Sequence, residues 1–228
     1  MKRSFFLLAI ALSVLLSGQI GCAQTRPRRA EVTKPLARVI TLGHESHGKT
    51  TLTSAITKIL SEKGQADFIP YDKLTNPSAI EIEGLKINAA HVRYETENKR
   101  YDHLDCGSPS DCVKLLSDRQ IPVDGAVLVV AATDGPMPQT REHIMLAHER
   151  GIRSIVVYIN KIDSVDDPEL IQLVELEVRE LLTSYSFPGD RITFIKGSAK
   201  MALDGKRDDI GKKSILDLLS ALDAALGQ

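Results

Sequence analysis

Residues 36–60 read LARVITLGHESHGKTTLTSAITKIL, and this stretch decides the fold. Leu36 to Leu42 is a β-branched, apolar run of strand character, and Thr51 to Leu60 carries Leu52, Ala55, Ile56 and Ile59 at helical spacing. Between them lies Gly43-His44-Glu45-Ser46-His47-Gly48-Lys49-Thr50, with two glycines framing four residues and followed by Lys and Thr. Glycines let successive backbone N–H groups curl around an anion, and a helix starting at that point adds the positive end of its dipole. Lys49 supplies a cation for the outer phosphates, and the Thr50 hydroxyl can ligate Mg²⁺. Strand, loop and helix together predict a phosphate-binding P-loop over Gly43 to Thr51.

Working outward, Ala90 to Glu95 alternates like a half-buried strand, with Tyr101 to Leu104 as its neighbour. Gly125 to Ala131 (GAVLVVA) and Ser154 to Ile159 (SIVVYI) are continuously apolar, as suits central parallel strands covered on both faces. Pro138 and Gly151 bracket a helix containing Ile144, Leu146 and Ala147. A second helix starts near Asp167 and Pro168 and is expected to turn Leu170, Leu173, Val174, Leu181 and Leu182 inward. Ile192 to Ile195 reads as the last strand. The closing helix is expected from Ser214, with Asp217 completing a capping-box-like pair and Leu218, Leu219 and Leu222 on its apolar side. Strands alternating with helices give the α/β class: a P-loop NTPase with a doubly wound, mostly parallel sheet and helices on both faces. Ligand is expected at the carboxyl ends of the strands.

The chain has 228 residues, 43% hydrophobic and 26% charged, which is enough apolar material for one sizeable core. Lys and Arg number 29 against 30 Asp and Glu, so the strong basic bias of a protein held on nucleic acid by phosphate contacts is absent. The N-terminus departs from this composition. Lys2 and Arg3 precede an apolar run from Phe5 to Leu16, followed by small and polar residues to Cys22, the layout of a secretory signal peptide. The run is shorter than the roughly 20 residues of a membrane-spanning helix.

The organisation read from this is a signal peptide over 1–22, a linker over 23–35 and a nucleotide-binding domain over 36–228. Gly21-Cys22-Ala23-Gln24 resembles a bacterial lipoprotein processing site with Cys22 as the acylated residue, although Gln19 stands where that family usually has Leu. Cleavage and lipidation both remain open. The expected location is exported, periplasmic or membrane-anchored, with a cytoplasmic tail as the alternative. In an anchored form Arg26, Arg28 and Arg29 would sit beside anionic headgroups, each adding about 1 kcal/mol of attraction.

Asn160-Lys161-Ile162-Asp163 closes the SIVVYI strand, where a base-reading group would stand. An Asp carboxylate there can accept two N–H bonds from guanine, which adenine cannot offer. A Ser198-Ala199-Lys200 turn after the last strand is expected to bring a backbone N–H to the guanine O6.

These motifs, together with Val129 to Ile144 (VVAATDGPMPQTREHI) and Leu176 to Asp190, resemble the G domain of bacterial elongation factor Tu, from about Ala37 to the C-terminus. The resemblance implies GTP or GDP as ligand with Mg²⁺, Thr50 on the metal and Asp105 holding its water shell. The resemblance implies the translation elongation factor class but covers the G domain only, with no counterpart of that factor's two β-barrel domains before Gln228, which puts ribosome and tRNA as partners in doubt. No protein partner is named by the sequence.

The departures from the family are concentrated on one side of the site. Aligning Gly84-Leu85 with the first switch puts Lys86 where the family has a Mg²⁺-ligating Thr. Asp105-Cys106-Gly107-Ser108-Pro109 stands for Asp-Cys-Pro-Gly-His, so Ser108 replaces the glycine that meets the γ-phosphate and Pro109 the water-orienting His. Glu45 replaces an apolar residue and Ser46 an Asp. All five lie on the γ-phosphate side, which predicts nucleotide binding with weak or absent hydrolysis and leaves no catalytic residue to name. The alternative is a non-enzymatic, exported pseudo-GTPase that uses the fold as an interaction surface.

Cys106 and Cys112 flank the altered second switch and are read either as separate thiols or, in an oxidising compartment, as a disulfide. Histidines 44, 47, 91, 103, 143 and 148 lack metal-cage spacing and are expected in loops or at the surface.

Overall fold

The computed structural model describes residues 34–227 apart from Asn76 and Gly107, so the apolar N-terminal run and Cys22 lie outside the described residues. The apolar runs form one sheet of seven strands: β1 (Leu36–Leu42), β2 (Ala79–Ile82), β3 (Leu85–Glu95), β4 (Arg100–Cys106), β5 (Gly125–Ala131), β6 (Ser154–Asn160) and β7 (Phe194–Lys196). Their order is β2-β3-β4-β1-β5-β6-β7. β4, β1, β5, β6 and β7 run parallel, and the hairpin β2-β3 adds an antiparallel edge. Every residue of β5 is buried, in keeping with a central strand covered on both faces.

The helices divide between the two faces. α1 (Lys49–Ser61), α2 (Tyr71–Thr75), α6 (Ala199–Asp204) and α7 (Lys212–Ala225) cover one, burying Leu52, Ile56, Leu74, Ala202, Leu218 and Leu222 against Val39, Val127 and Val156. α3 (Pro109–Ser117), α4 (Pro138–Arg150) and α5 (Pro168–Ser184) cover the other with Leu115, Ile144 and Val178 against Ile40, Leu128 and Val157. The chain is therefore the doubly wound, mostly parallel α/β fold expected of its motifs.

Several local expectations are corrected. In α5 the inward stripe is Val174, Val178, Leu181 and Leu182, whereas Leu170 and Leu173 are 41% and 51% exposed. At 3.6 residues per turn Leu173 falls outside that stripe, and Leu170 lies at its edge in the first turn. The closing helix begins at Lys212, and Ser214 caps nothing. Its hydroxyl is buried, donating back to Ile210 O and Gly211 O (both 2.8 Å) and meeting the Tyr158 hydroxyl at 2.7 Å. Asp217 pairs with Lys213 instead. The last strand lies at Phe194–Lys196, two residues later than expected at its start.

α3 starts at Pro109 on a Ser108 N-cap, a Ser-Pro-x-Asp helix start that the reading of this segment as a switch passed over. Three of the histidines are core residues: His47, His103 and His143 are 0% exposed. His103 sits between the Thr41 hydroxyl (Nε2, 2.5 Å) and the Tyr94 hydroxyl (Nδ1, 3.1 Å), so both ring nitrogens are satisfied in the interior.

Candidate nucleotide site

The loop begins where β1 ends. Gly43 has φ 122°, and a Cβ there would stand 2.1 Å from the Val129 carbonyl oxygen, so the close approach of β1 to β5 requires glycine. Gly48 has φ 86°, and a Cβ there would meet Asn160 Nδ2 at 2.5 Å. Between them Glu45–His47 forms one 3₁₀ turn. α1 follows with no side-chain cap and no acidic residue in its first turn. Its first amides are therefore left to an anionic partner at the open end of the loop. Lys49 lies back across the loop, its Nζ donating to His44 O at 3.1 Å. Thr50 and Thr51 occupy the first turn of α1 beside it.

The loop is held from outside by α4. The Gly43 N–H donates to His143 Nδ1 at 3.1 Å, and the Glu45 N–H donates to Gln139 Oε1 at 3.2 Å. Ser46 N–H reaches the His44 ring at 3.4 Å, and His47 Nδ1 lies 3.4 Å from Val129 O. His143 and Gln139 are positioning residues that the motif search missed. Their only signal was their place in the Val129–Ile144 stretch.

Asp105, the penultimate residue of β4, is in register with Thr41 of β1. It is 2% exposed, and its Oδ1 has no hydrogen-bond partner. Burial pushes its carboxyl up to about 6, against the pull of the Thr50 hydroxyl, Lys49 and the Thr53 hydroxyl. An orphaned buried carboxylate oxygen facing the Thr50 hydroxyl is a donor set that fits Mg²⁺, which prefers hard oxygen ligands.

Asn160, expected at the base, has partners within the protein. Its side chain is buried, donating from Nδ2 to His47 O at 2.9 Å and accepting at Oδ1 from the Ala199 N–H at 3.0 Å. It ties the phosphate loop to the start of α6. Lys161 follows in the left-handed region (φ 61°), and Asp163 lies in the 3₁₀ turn Ile162–Ser164.

Ser198-Ala199-Lys200 is a capped helix start and not a free turn. The Ser198 hydroxyl accepts from Met201 N–H at 3.1 Å, and Ser198 N–H donates to Ile210 O at 2.7 Å. Of the three backbone amides in this segment, one of which was expected at the guanine O6, those of Ser198 and Ala199 are engaged within the protein.

The altered switch residues stand in regular structure. Lys86 is exposed on β3 opposite Glu81 of β2, behind a two-residue turn at Glu83 (φ 48°) and Gly84 (φ 86°). The Ser108 hydroxyl donates to Asp111 Oδ2 at 2.6 Å and accepts from Asp111 N–H at 3.2 Å. Asn88 of β3 reaches the same carboxylate at 3.4 Å.

A glycine-framed loop between the first strand and its helix, at the carboxyl end of a parallel sheet with a buried acid beside it, defines a P-loop nucleotide-binding domain. Its family is that described as the elongation factor Tu GTP binding domain, whose model matches residues 34–227. The chain belongs to that family, and the domain is a GTP-binding one.

Protonation of the buried groups makes stability pH-dependent. Burial holds His47, His103 and His143 down to about 4, below the ordinary 6.5. Between those values the unfolded chain binds protons that the folded chain refuses, so their contribution is complete above about pH 6.5 and is lost as pH falls towards 4. Each is worth up to about 3 kcal/mol. Asp105 runs the other way, losing stability as pH rises from 3.8 to about 6, but it is one group against three. The thermal midpoint should therefore fall steadily from pH 7 to pH 4.5, and His103→Gln should flatten that fall. A midpoint that holds or rises on acidification contradicts the assignment of these three rings as neutral core groups.

Proposed function

We propose that this domain holds GTP and GDP with similar affinity and hydrolyses GTP weakly or not at all. In this reading the backbone of Gly43 to Thr51 cradles the phosphates, Lys49 neutralises them, and Thr50 and Asp105 hold Mg²⁺, the latter through water. Bound there, the metal would screen phosphate charge. Asp163 reads the two guanine N–H groups, with Lys161 and Lys200 beside the base. Asn160 acts through the others, fixing the loop and the start of α6 to one strand end.

The observation that carries the reading is the state of Ser108 and Pro109. Where the family places a glycine N–H for the γ-phosphate and a His for the attacking water, this chain has an N-cap hydroxyl bonded to Asp111 and the first residue of α3. Pro109 has no N–H and no side-chain donor. Positioning of the nucleophile and stabilisation of developing charge supply most of phosphoryl-transfer catalysis, and this segment supplies neither.

The test is single-turnover GTP hydrolysis by the purified protein with and without ribosomes. A slow rate unchanged by ribosomes is expected. A ribosome-stimulated rate like that of an intact elongation factor overturns the proposal. The guanine reading is tested separately with Asp163→Asn, which removes a charged acceptor of two N–H bonds. Each such bond contributes about 1.5–3 kcal/mol, so GDP affinity should fall at least tenfold with the thermal midpoint unchanged. Equal affinity of variant and parent by calorimetry contradicts the placement of the base.

A further inference from the structure

Cys106 and Cys112 come together on the face of the sheet covered by α3. Thr41 is in register with Asp105, which sets Cys106 beside Leu42 at the carboxyl ends of two neighbouring strands. Side chains alternate along a strand, so Cys106 points to the same face as Leu104, and both belong to the cluster that α3 completes with Cys112, Leu115 and Leu116. Cys112 lies in the first turn of α3, its Sγ 4.0 Å from Thr41 O. The two thiols are free and 5% and 1% exposed.

We infer that Cys106 and Cys112 are a dithiol site that closes to a disulfide when the chain folds in an oxidising setting, fixing the start of α3 to the strand end that carries Asp105. The inference rests on the two cysteines and their elements, and stands or falls independently of the nucleotide reading. It accords with the export signal read in residues 1–22, since structural disulfides persist in oxidising compartments.

In the folded protein both thiols are buried beneath α3, where an external oxidant does not reach them, so closure belongs to folding, before α3 docks. The oxidant is a low-molecular-weight disulfide such as oxidised glutathione. One cysteine thiolate attacks it, forming a mixed disulfide and releasing one oxidant thiol. The second cysteine thiolate then attacks that bond, forming Cys106–Cys112 and releasing the second oxidant thiol. The oxidant disulfide takes the two electrons, and the two cysteine protons end on the released thiols.

The experiment refolds the Cys22→Ser chain in a glutathione redox buffer and reads intact mass, alkylation and thermal midpoint. Expected are a mass about 2 Da below the reduced form, no alkylation without reductant, and a midpoint about 5 °C higher than that of the reduced protein. Cys112→Ser and Cys112→Ala should both lose the redox dependence of the midpoint. The folded, reduced chain placed in the same buffer should close at least tenfold more slowly than the refolding chain. Two alkylatable thiols after refolding, or an oxidised form that melts below the reduced one, overturns the site. Equal closure rates overturn its coupling to folding.

Discussion

The carboxamide of Asn160 joins the two halves of the ligand end. It stands at the last position of β6, 3% exposed, with one end on the P-loop at His47 O and the other on α6 at Ala199 N–H. Both partners are backbone groups removed from water, so losing the amide would strand a buried donor and a buried acceptor at about 1–3 kcal/mol each. The glycine at 48 is part of the same constraint, because any side chain there would meet Nδ2. An Asp could accept from Ala199 but could not donate to His47 O. Loop curvature, the entry of α1 and the spacing between phosphate and base sides therefore depend on one residue type at one strand end.

α3 is likewise tied down, from its Ser108 N-cap onward. Burial opposes the charge of Asp111, but hydrogen bonds from Ser108 and Asn88 outweigh it and hold its carboxyl below the usual range. At its other end α3 is closed by Arg150, whose guanidinium donates to the carbonyls of Leu115, Leu116, Asp118 and Ile121. A ligand moves a conformational equilibrium only through contacts that differ between its states. Under the proposed function, a helix capped at both ends at this place gives GTP little to hold that GDP lacks.

Much of this was legible in the sequence for physical reasons. Buried parallel strands need continuous apolar runs, and GAVLVVA and SIVVYI have no other reading. The P-loop is legible because Gly43 and Gly48 answer backbone requirements that no other residue meets. What was hidden depended on tertiary partners. The two bonds of Asn160 run to backbone groups far away in sequence, at His47 and Ala199, which no local pattern announces. The burial of His47, His103 and His143 follows from acceptors and hydroxyls supplied by distant strands and helices. Leu170 and Leu173 have helical spacing, yet the sheet selects Val174 and Val178. Ser108-Pro109-Ser110-Asp111 carried a helix-start signature that was masked by comparison with a switch motif.

The proposed function implies that nucleotide state is not transmitted through this domain, which calorimetric titration of the purified, Mg²⁺-loaded protein with GDP and with a non-hydrolysable GTP analogue tests. Dissociation constants within about threefold of each other are expected, since one lost charge-assisted contact alone is worth a factor of ten or more. A hundredfold or greater difference between the two nucleotides would show the opposite, because the protein would then be sensing the γ-phosphate through more than the P-loop, Lys49 and the metal.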